Sequence, residues 1–169
     1  MKKNNGFTLF EMLVVITIFG IIAIAGSGIF FSVLKGSSKT NITNLVKQEG
    51  TYALIVMERM IRNSRGIVGN CTTPMVDGIT IANPDEGETT FACMPGATPA
   101  DSEISSNSAS LISNLVKVDS CVINCTSGQG INPDVIEITF TLSQGSDTTE
   151  KEDIAEIEFS KKITLRNID

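Results

Sequence analysis

The chain of 169 residues contains no histidine and no tryptophan, and it has a single tyrosine, Tyr52. Without histidine, neither a Ser-His-Asp nor a Cys-His catalytic arrangement can be built. The sequence also lacks a G-x-S-x-G nucleophile motif and a phosphate-binding P-loop. Because no set of catalytic residues is visible, we predict that the protein is not an enzyme and uses no cofactor.

Basic residues are scarce in the second part of the chain. Residues 66–169 hold five basic and sixteen acidic side chains, a net charge of −11. Residues 35–65 hold six basic and two acidic side chains, a net charge of +4. An acidic surface repels phosphate backbones, so we predict no nucleic-acid binding through the globular domain.

The chain has four cysteines, Cys71, Cys93, Cys121 and Cys125, and no Cys-x-x-Cys pair. Zinc sites are built mainly from such pairs and from histidine, so zinc is the weaker alternative. In an extracytoplasmic compartment, an even number of cysteines favours disulfides over free thiols. Of the three pairings that four cysteines allow, we favour Cys71–Cys93 with Cys121–Cys125.

Charged side chains are missing from Met12 to Leu34, a run of 23 residues. As a helix rising ~1.5 Å per residue, this run can cross a hydrocarbon core of ~30 Å. It could belong to a secretory signal peptide cleaved after Ala23-Ile24-Ala25, or to a plain single-pass anchor. The apolar run continues past Ala25, however, and neither alternative explains the carboxylate of Glu11 at its edge, because a charge in lipid is costly.

The stretch Gly6-Phe7-Thr8-Leu9-Phe10-Glu11 follows a short basic leader and resembles the processing site of type IV pilins and pseudopilins. The resemblance implies that a prepilin peptidase cleaves between Gly6 and Phe7, and that the new amine of Phe7 is then methylated. It also implies that Glu11 pairs with the N-terminal amine of a neighbouring subunit in a helical filament. One turn from the new terminus, the carboxylate would lie at the membrane edge and at the positive end of the helix dipole.

The resemblance divides the chain into four segments: a leader peptide (1–6), a transmembrane and assembly helix (7–34), the amphipathic half of the same helix (35–65) and an extracytoplasmic β-rich domain (66–169). Apolar residues at three- and four-residue steps from Ile42 to Ile61 independently indicate an amphipathic helix. We therefore predict an α+β, type IV pilin-like fold, in which one helix of about residues 7–64 packs on an antiparallel sheet. Residues 52–64 and the last strand also loosely resemble the minor pilins and pseudopilins of the class often labelled W or J.

After residue 66 the apolar residues alternate with period two, which is typical of strands with one buried face. Strands are predicted over 76–82, 89–93, 115–123, 135–142 and 156–165, with residues 83–110 otherwise irregular. A polar loop over 143–153 should join the last two strands as a hairpin. Two sets of side chains are predicted to face the core: Val116, Val118 and Val122, and Ile136, Ile138, Phe140 and Leu142.

Four acidic residues, Asp77, Asp85, Glu86 and Glu88, crowd one loop region and could hold Ca²⁺, an ion that some pseudopilins bind. Their spacing is not that of an EF-hand, and an acidic loop is usually only solvated. We therefore predict no metal site and keep calcium as the minor alternative.

These features predict a structural subunit, a minor pilin or pseudopilin, of a type IV pilus or a type II secretion-like filament. Its predicted partners are other pilin or pseudopilin subunits, the prepilin peptidase, the inner-membrane assembly platform and membrane lipid. It should cross the inner membrane once, with its globular domain outside the cytoplasm. The rival interpretation is a membrane-anchored or secreted binding module that joins no filament, and the sequence does not distinguish a pilus from type II secretion or DNA uptake.

Overall fold

A computed structural model of the protein describes residues 8–69, 71, 78–128, 133–145 and 155–165. One helix, α1, runs from Leu9 to Asn63, close to the predicted bounds. The strands that follow in the described residues are β1 (Gly66–Ile67), β2 (Ile79–Ala82), β3 (Glu88–Met94), β4 (Glu103–Ser106), β5 (Ala109–Ser110), β6 (Val116–Thr126), β7 (Val135–Gln144) and β8 (Glu156–Thr164). The chain forms two compact units, Met1–Thr40 and Asn41–Asp169, and α1 contributes residues to both.

The first unit, Met1–Thr40, contains the apolar part of α1. Every side chain that is described in this unit is exposed, including Leu9 at 84%, Phe10 at 74% and Phe19 at 68%. Within the described residues, α1 is the one helix that is long and apolar enough to cross a membrane. A core helix of a soluble domain would bury such side chains, so this exposed surface fits a single-pass membrane anchor.

The second unit, Asn41–Asp169, has its own hydrophobic core. α1 contributes the buried residues Val46, Ala53, Met57 and Ile61, which recur at steps of seven and four residues and form one stripe. The helix ends where both the backbone N–H and the hydroxyl of Ser64 donate to the carbonyl of Ile61, at 3.2 and 2.8 Å. These bonds satisfy a terminal carbonyl that has no partner within the helix.

Two antiparallel sheets pack in this unit, where a single sheet was predicted. The first has the order β1-β2-β3-β4-β5 and the second the order β6-β7-β8. β4 and β5 lie in the region predicted to be irregular. They are short, and the turn between them uses Asn107 and Ser108, both with positive φ (49° and 66°), instead of the glycine that usually signals a two-residue hairpin.

Strand β7 confirms the predicted alternation, and β6 departs from it. Ile136, Ile138, Phe140 and Leu142 are all fully buried. On β6, Val116 and Val118 are buried as predicted, but Val122 is 44% exposed while Ile123 is 3% exposed. The register against β7 shifts between Val118 and Ser120, so Asp119 is an extra residue that turns the following side chains to the other face.

The last strand also faces the core as its alternation predicts. Ile163 and Leu165 are buried, and Ile157 and Phe159 are half-buried against the core. β8 pairs with β7 in antiparallel register, with Glu156 opposite Ser143. Most of the predicted connecting loop, from residue 146 to residue 154, lies outside the described residues.

All four cysteines form disulfides, but the predicted pairing is wrong. Cys71 is bonded to Cys125, and Cys93 is bonded to Cys121, with Cα–Cα distances of 5.1 and 6.1 Å. Cys121 and Cys125 lie on the same strand, β6, four residues apart. At ~3.3 Å per residue their Cα atoms are about 13 Å apart, which is well beyond the ~7 Å limit for a disulfide. The Cys93–Cys121 bond instead joins β3 to β6 and so ties the two sheets together.

Candidate assembly site at the start of the helix

The helix begins with a reciprocal set of hydrogen bonds between Thr8 and Glu11. The backbone N–H of Thr8 donates to Oε2 of Glu11 at 3.0 Å, and the Thr8 hydroxyl donates to the same oxygen at 3.1 Å. The backbone N–H of Glu11 in turn donates to Oγ1 of Thr8 at 3.3 Å. This is a capping box, in which two N–H groups that have no partner inside the helix are satisfied by side chains.

The capping box explains how the carboxylate of Glu11 is held in a single chain. Glu11 lies in the first turn of α1, where the helix dipole favours a negative charge. Both bonds from Thr8 go to Oε2, so Oε1 makes no hydrogen bond with the described residues. The side chain is exposed, and it can therefore offer this second oxygen to a cation or donor outside the chain.

Thr8 belongs to the motif at residues 6–11, but its capping role was not predicted. The signal was present, because a threonine three residues before a glutamate at the start of an apolar run is the capping-box signature. The predicted cleavage residues Gly6 and Phe7 lie outside the described residues, so their geometry is not part of this site.

Two of the four candidate calcium ligands lie in a turn, and a third, Glu88, is the first residue of β3. Asp77 lies outside the described residues, whereas Asp85 and Glu86 lie in the turn between β2 and β3. Oδ1 of Asp85 accepts a bond from the N–H of Gly87 at 3.1 Å, and Oε1 of Glu86 is 3.9 Å from Nη1 of Arg65. In the described part of the chain, no three side chains of the metal-binding types come together.

A second polar cluster, missed from the sequence, fixes α1 on β8 within the second unit. Glu58 of α1 accepts hydrogen bonds from Nζ of Lys161 on β8 at 3.1 Å and from Nε of Arg62 at 2.9 Å. These bonds, that from Lys161 first, hold the pKa of Glu58 below its ordinary value. The Arg62 pair has helical i, i+4 spacing, but nothing in the sequence indicated that Lys161 would reach Glu58.

The fold and this site together define a class of protein. One long helix with an exposed apolar beginning, followed by antiparallel sheets, is an α+β architecture consistent with a type IV pilin-like fold. Residues 1–27 match the family model described as the prokaryotic N-terminal methylation motif, which is the signal of type IV pilins and pseudopilins. The match ends within α1 and does not extend to the sheets. No curated protein and no solved structure has significant similarity to this chain.

Proposed function

We propose that the protein is a minor pilin or pseudopilin, cleaved after Gly6, methylated on Phe7 and assembled into a helical filament through the apolar part of α1. The observation that carries the proposal is the methylation motif at residues 1–27. The motif supports a type IV pilin-like subunit that assembles with similar subunits and is processed by a prepilin peptidase. A protein of this kind is a structural component and not a catalyst.

Three features of the structure support this proposal. The apolar side chains of residues 9–34 are exposed, so they need lipid or other helices to cover them. The Thr8–Glu11 capping box leaves one carboxylate oxygen of Glu11 for a neighbour's N-terminal amine. The two disulfides fit a second unit that lies outside the cytoplasm, in the periplasm or on the cell surface.

The intact mass of the mature chain, purified from the membrane of the cells that produce it, tests the processing step. We expect the mass of residues 7–169 with one added methyl group. A chain that begins at Gly26 would instead be a secreted module released by a signal peptidase, and a chain that begins at Met1 would be a plain anchored module. Either result would contradict the proposal and support the rival binding-module interpretation.

Two variants separate the charge of Glu11 from its role in the capping box. Glu11→Gln keeps an oxygen acceptor for Thr8 but removes the negative charge, whereas Thr8→Ala removes the cap and keeps the charge. If Glu11 pairs with a neighbour's amine, Glu11→Gln should be cleaved and inserted normally but be missing from sheared filaments. Thr8→Ala should lose about 1 kcal/mol of helix stability and still assemble. The opposite order of effects would show that the cap, and not the charge, matters for assembly.

A further inference from the structure

The outward face of α1 in the second unit is basic and has an aromatic centre. Over residues 41–63 of α1, the exposed positions carry Lys47, Arg59 and Arg62 but no carboxylate. Both carboxylates of this segment are only partly exposed, and both are engaged. Glu49 accepts a bond from the N–H of Ser113 at 3.1 Å, and Glu58 is bonded to Arg62 and Lys161.

Two exposed apolar side chains lie on the same face. Tyr52 is 58% exposed and Ile55 is 55% exposed, and together they form a short apolar patch among the basic residues. A groove of ≈ 460 Å³ lies between Tyr52 and the segment 110–113, and on its other side Tyr52 borders the open surface of α1 around Lys47 and Ile55. Tyrosine is one of the residue types that most often contribute strongly to binding at protein interfaces, so an exposed tyrosine beside a groove is a candidate anchor. We call these residues, Lys47, Tyr52, Ile55 and Arg59, the basic helix face.

The opposite side of the same unit is acidic. The inner side of the sheet β6-β7-β8 packs on α1, through contacts such as Glu58–Lys161, so its outer side points away from the helix. The outward side chains of this sheet include two carboxylates, Glu156 and Glu158, that form no ion pair with the described residues. The half-exposed Val122 lies on the same outer side. Glu137 also points outward, but its Oε1 lies 3.9 Å from Nζ of Lys162, so the negative charge of Glu137 is largely neutralised.

We propose that the basic helix face of one copy docks on the outer side of the β6-β7-β8 sheet of a second copy. The charges are complementary: among the described residues, the helix surface exposes cations and no carboxylate, and the sheet surface carries Glu156 and Glu158 with no ion pair. Tyr52 and Ile55 can pack against the apolar side chain of Val122, which is otherwise left to solvent. Because the two surfaces lie on opposite sides of one unit, the contact is head to tail and repeats from copy to copy. This docking rests on the proposed function in one respect: in a filament subunit, the contact would stabilise the filament in addition to the packing of the apolar helices.

A lipid surface fits the basic helix face less well. A helix that lies on a membrane buries a broad apolar face in the interface. The broad apolar stripe of this segment, from Val46 to Ile61, is already buried in the core of its own unit. What remains exposed is a small apolar patch with polar neighbours, which suits a protein surface.

A photo-crosslinking amino acid at position 52 tests the docking in the full-length chain in its own membrane. Tyr52→p-benzoylphenylalanine keeps an aromatic ring at an exposed position. We expect a crosslinked product of twice the subunit mass, with the attachment mapped to peptides from β6, β7 or β8. A crosslink to lipid, to a protein of another mass or to α1 of the second copy would overturn the proposal.

Charge reversal tests the electrostatic part. In the crosslinking background, we expect Lys47→Glu with Arg59→Glu to lower the yield of the crosslinked dimer roughly five- to tenfold, as interfacial charge pairs of this kind allow. Adding Glu156→Lys and Glu158→Lys should restore most of the yield. The matched control is Glu86→Lys with Glu88→Lys, which makes the same change in net charge at the β2–β3 turn, away from the outer side of the sheet. If the control pair restored the crosslinking yield equally well, net charge alone would explain the effect. If neither pair restored the yield, the proposed contact would be contradicted.

The intact mass of the same samples tests the proposed function separately. A chain processed to Phe7 that gives no mapped crosslink would overturn the docking and leave the proposed function standing. A mapped crosslink on a chain that starts at Met1 or Gly26 would support the docking and contradict the proposed function.

Discussion

Gly50 of α1 offers the sharpest test of how the helix packs in the second unit. A Cβ atom at this position would overlap with Cε2 and Cζ of Phe159 on β8 and would lie 2.7 Å from Cε1 of the same ring. Glycine inside a helix is otherwise unfavourable by about 1 kcal/mol relative to alanine. A glycine is therefore needed at position 50 because it leaves room for the Phe159 ring. The substitution Gly50→Ala tests this packing directly.

The Phe159 ring has little freedom to move out of the way. It is stacked on Phe140, with ring centroids 5.2 Å apart and an interplanar angle of 22°. Phe140 is itself fully buried. Overpacking of this kind costs about 1–3 kcal/mol, from which the gain in helix propensity of about 1 kcal/mol must be subtracted. We expect Gly50→Ala to destabilise the second unit by about 1 kcal/mol.

Hydrogen exchange of the β7 and β8 peptides, measured on the full chain in detergent, reads this effect locally. A loss of about 1 kcal/mol makes exchange through opening roughly fivefold faster. Gly36→Ala is the matched control, because a Cβ there meets nothing within 4 Å, and it should leave β8 exchange unchanged. Adding Phe159→Leu to Gly50→Ala should cost less than the sum of the two single changes. If Gly50→Ala slowed exchange or left it unchanged, the packing argument would be wrong.

Two further predictions concern the polar cluster and the disulfides. Because the folded-state pKa of Glu58 is lowered, its stabilising effect is complete at neutral pH and is lost as the pH falls through that pKa. The difference in denaturation midpoint between the wild type and Glu58→Gln should therefore be largest near pH 7 and shrink below about pH 4, and a constant difference would contradict this. Non-reducing peptide mapping should recover Cys71 with Cys125 and Cys93 with Cys121, whereas a Cys121–Cys125 fragment would refute the structure. Replacing each pair by alanine removes a link spanning 54 or 28 residues and should cost about 4 and about 3.5 kcal/mol.

The features that could be predicted from the sequence are those encoded by neighbouring residues. Two such features are the uncharged run from Met12 to Leu34 and the six residues that end at Glu11. Each can be interpreted from its own residues, because a membrane-spanning helix requires only a long apolar run and a helix N-terminus favours a nearby carboxylate. The alternation of β7 likewise reports one buried face directly. A capping box is also local, and attention to Thr8 would have revealed it from the sequence alone.

The features that were missed depend on residues far apart in the chain or on a single inserted residue. The bulge at Asp119 reverses the faces of β6 after one residue, so a period-two pattern read across it assigns Val122 to the wrong side. The cysteine pairing was wrong because the order of strands, and not spacing along the chain, decides which sulfurs meet. The short strands β4 and β5 carry little hydrophobic signal, and their turn lacks glycine.

The role of the first part of α1 could be predicted from its composition, whereas the contacts of the second part could not, and this difference has a physical cause. The part of α1 up to residue 34 fits a membrane anchor, a role that any sufficiently long apolar sequence can fill, so composition alone indicates it. The half from residue 41 faces one particular set of partners, and its most informative residues are not apolar. Gly50 makes room for the Phe159 ring, Glu49 binds the N–H of Ser113, and Glu58 binds Lys161. Each of these three contacts joins α1 to a residue at least 60 positions later in the chain. The hydrophobic stripe therefore predicts that this half of α1 packs against the rest of its unit. The glycine and the two glutamates determine the position at which it packs.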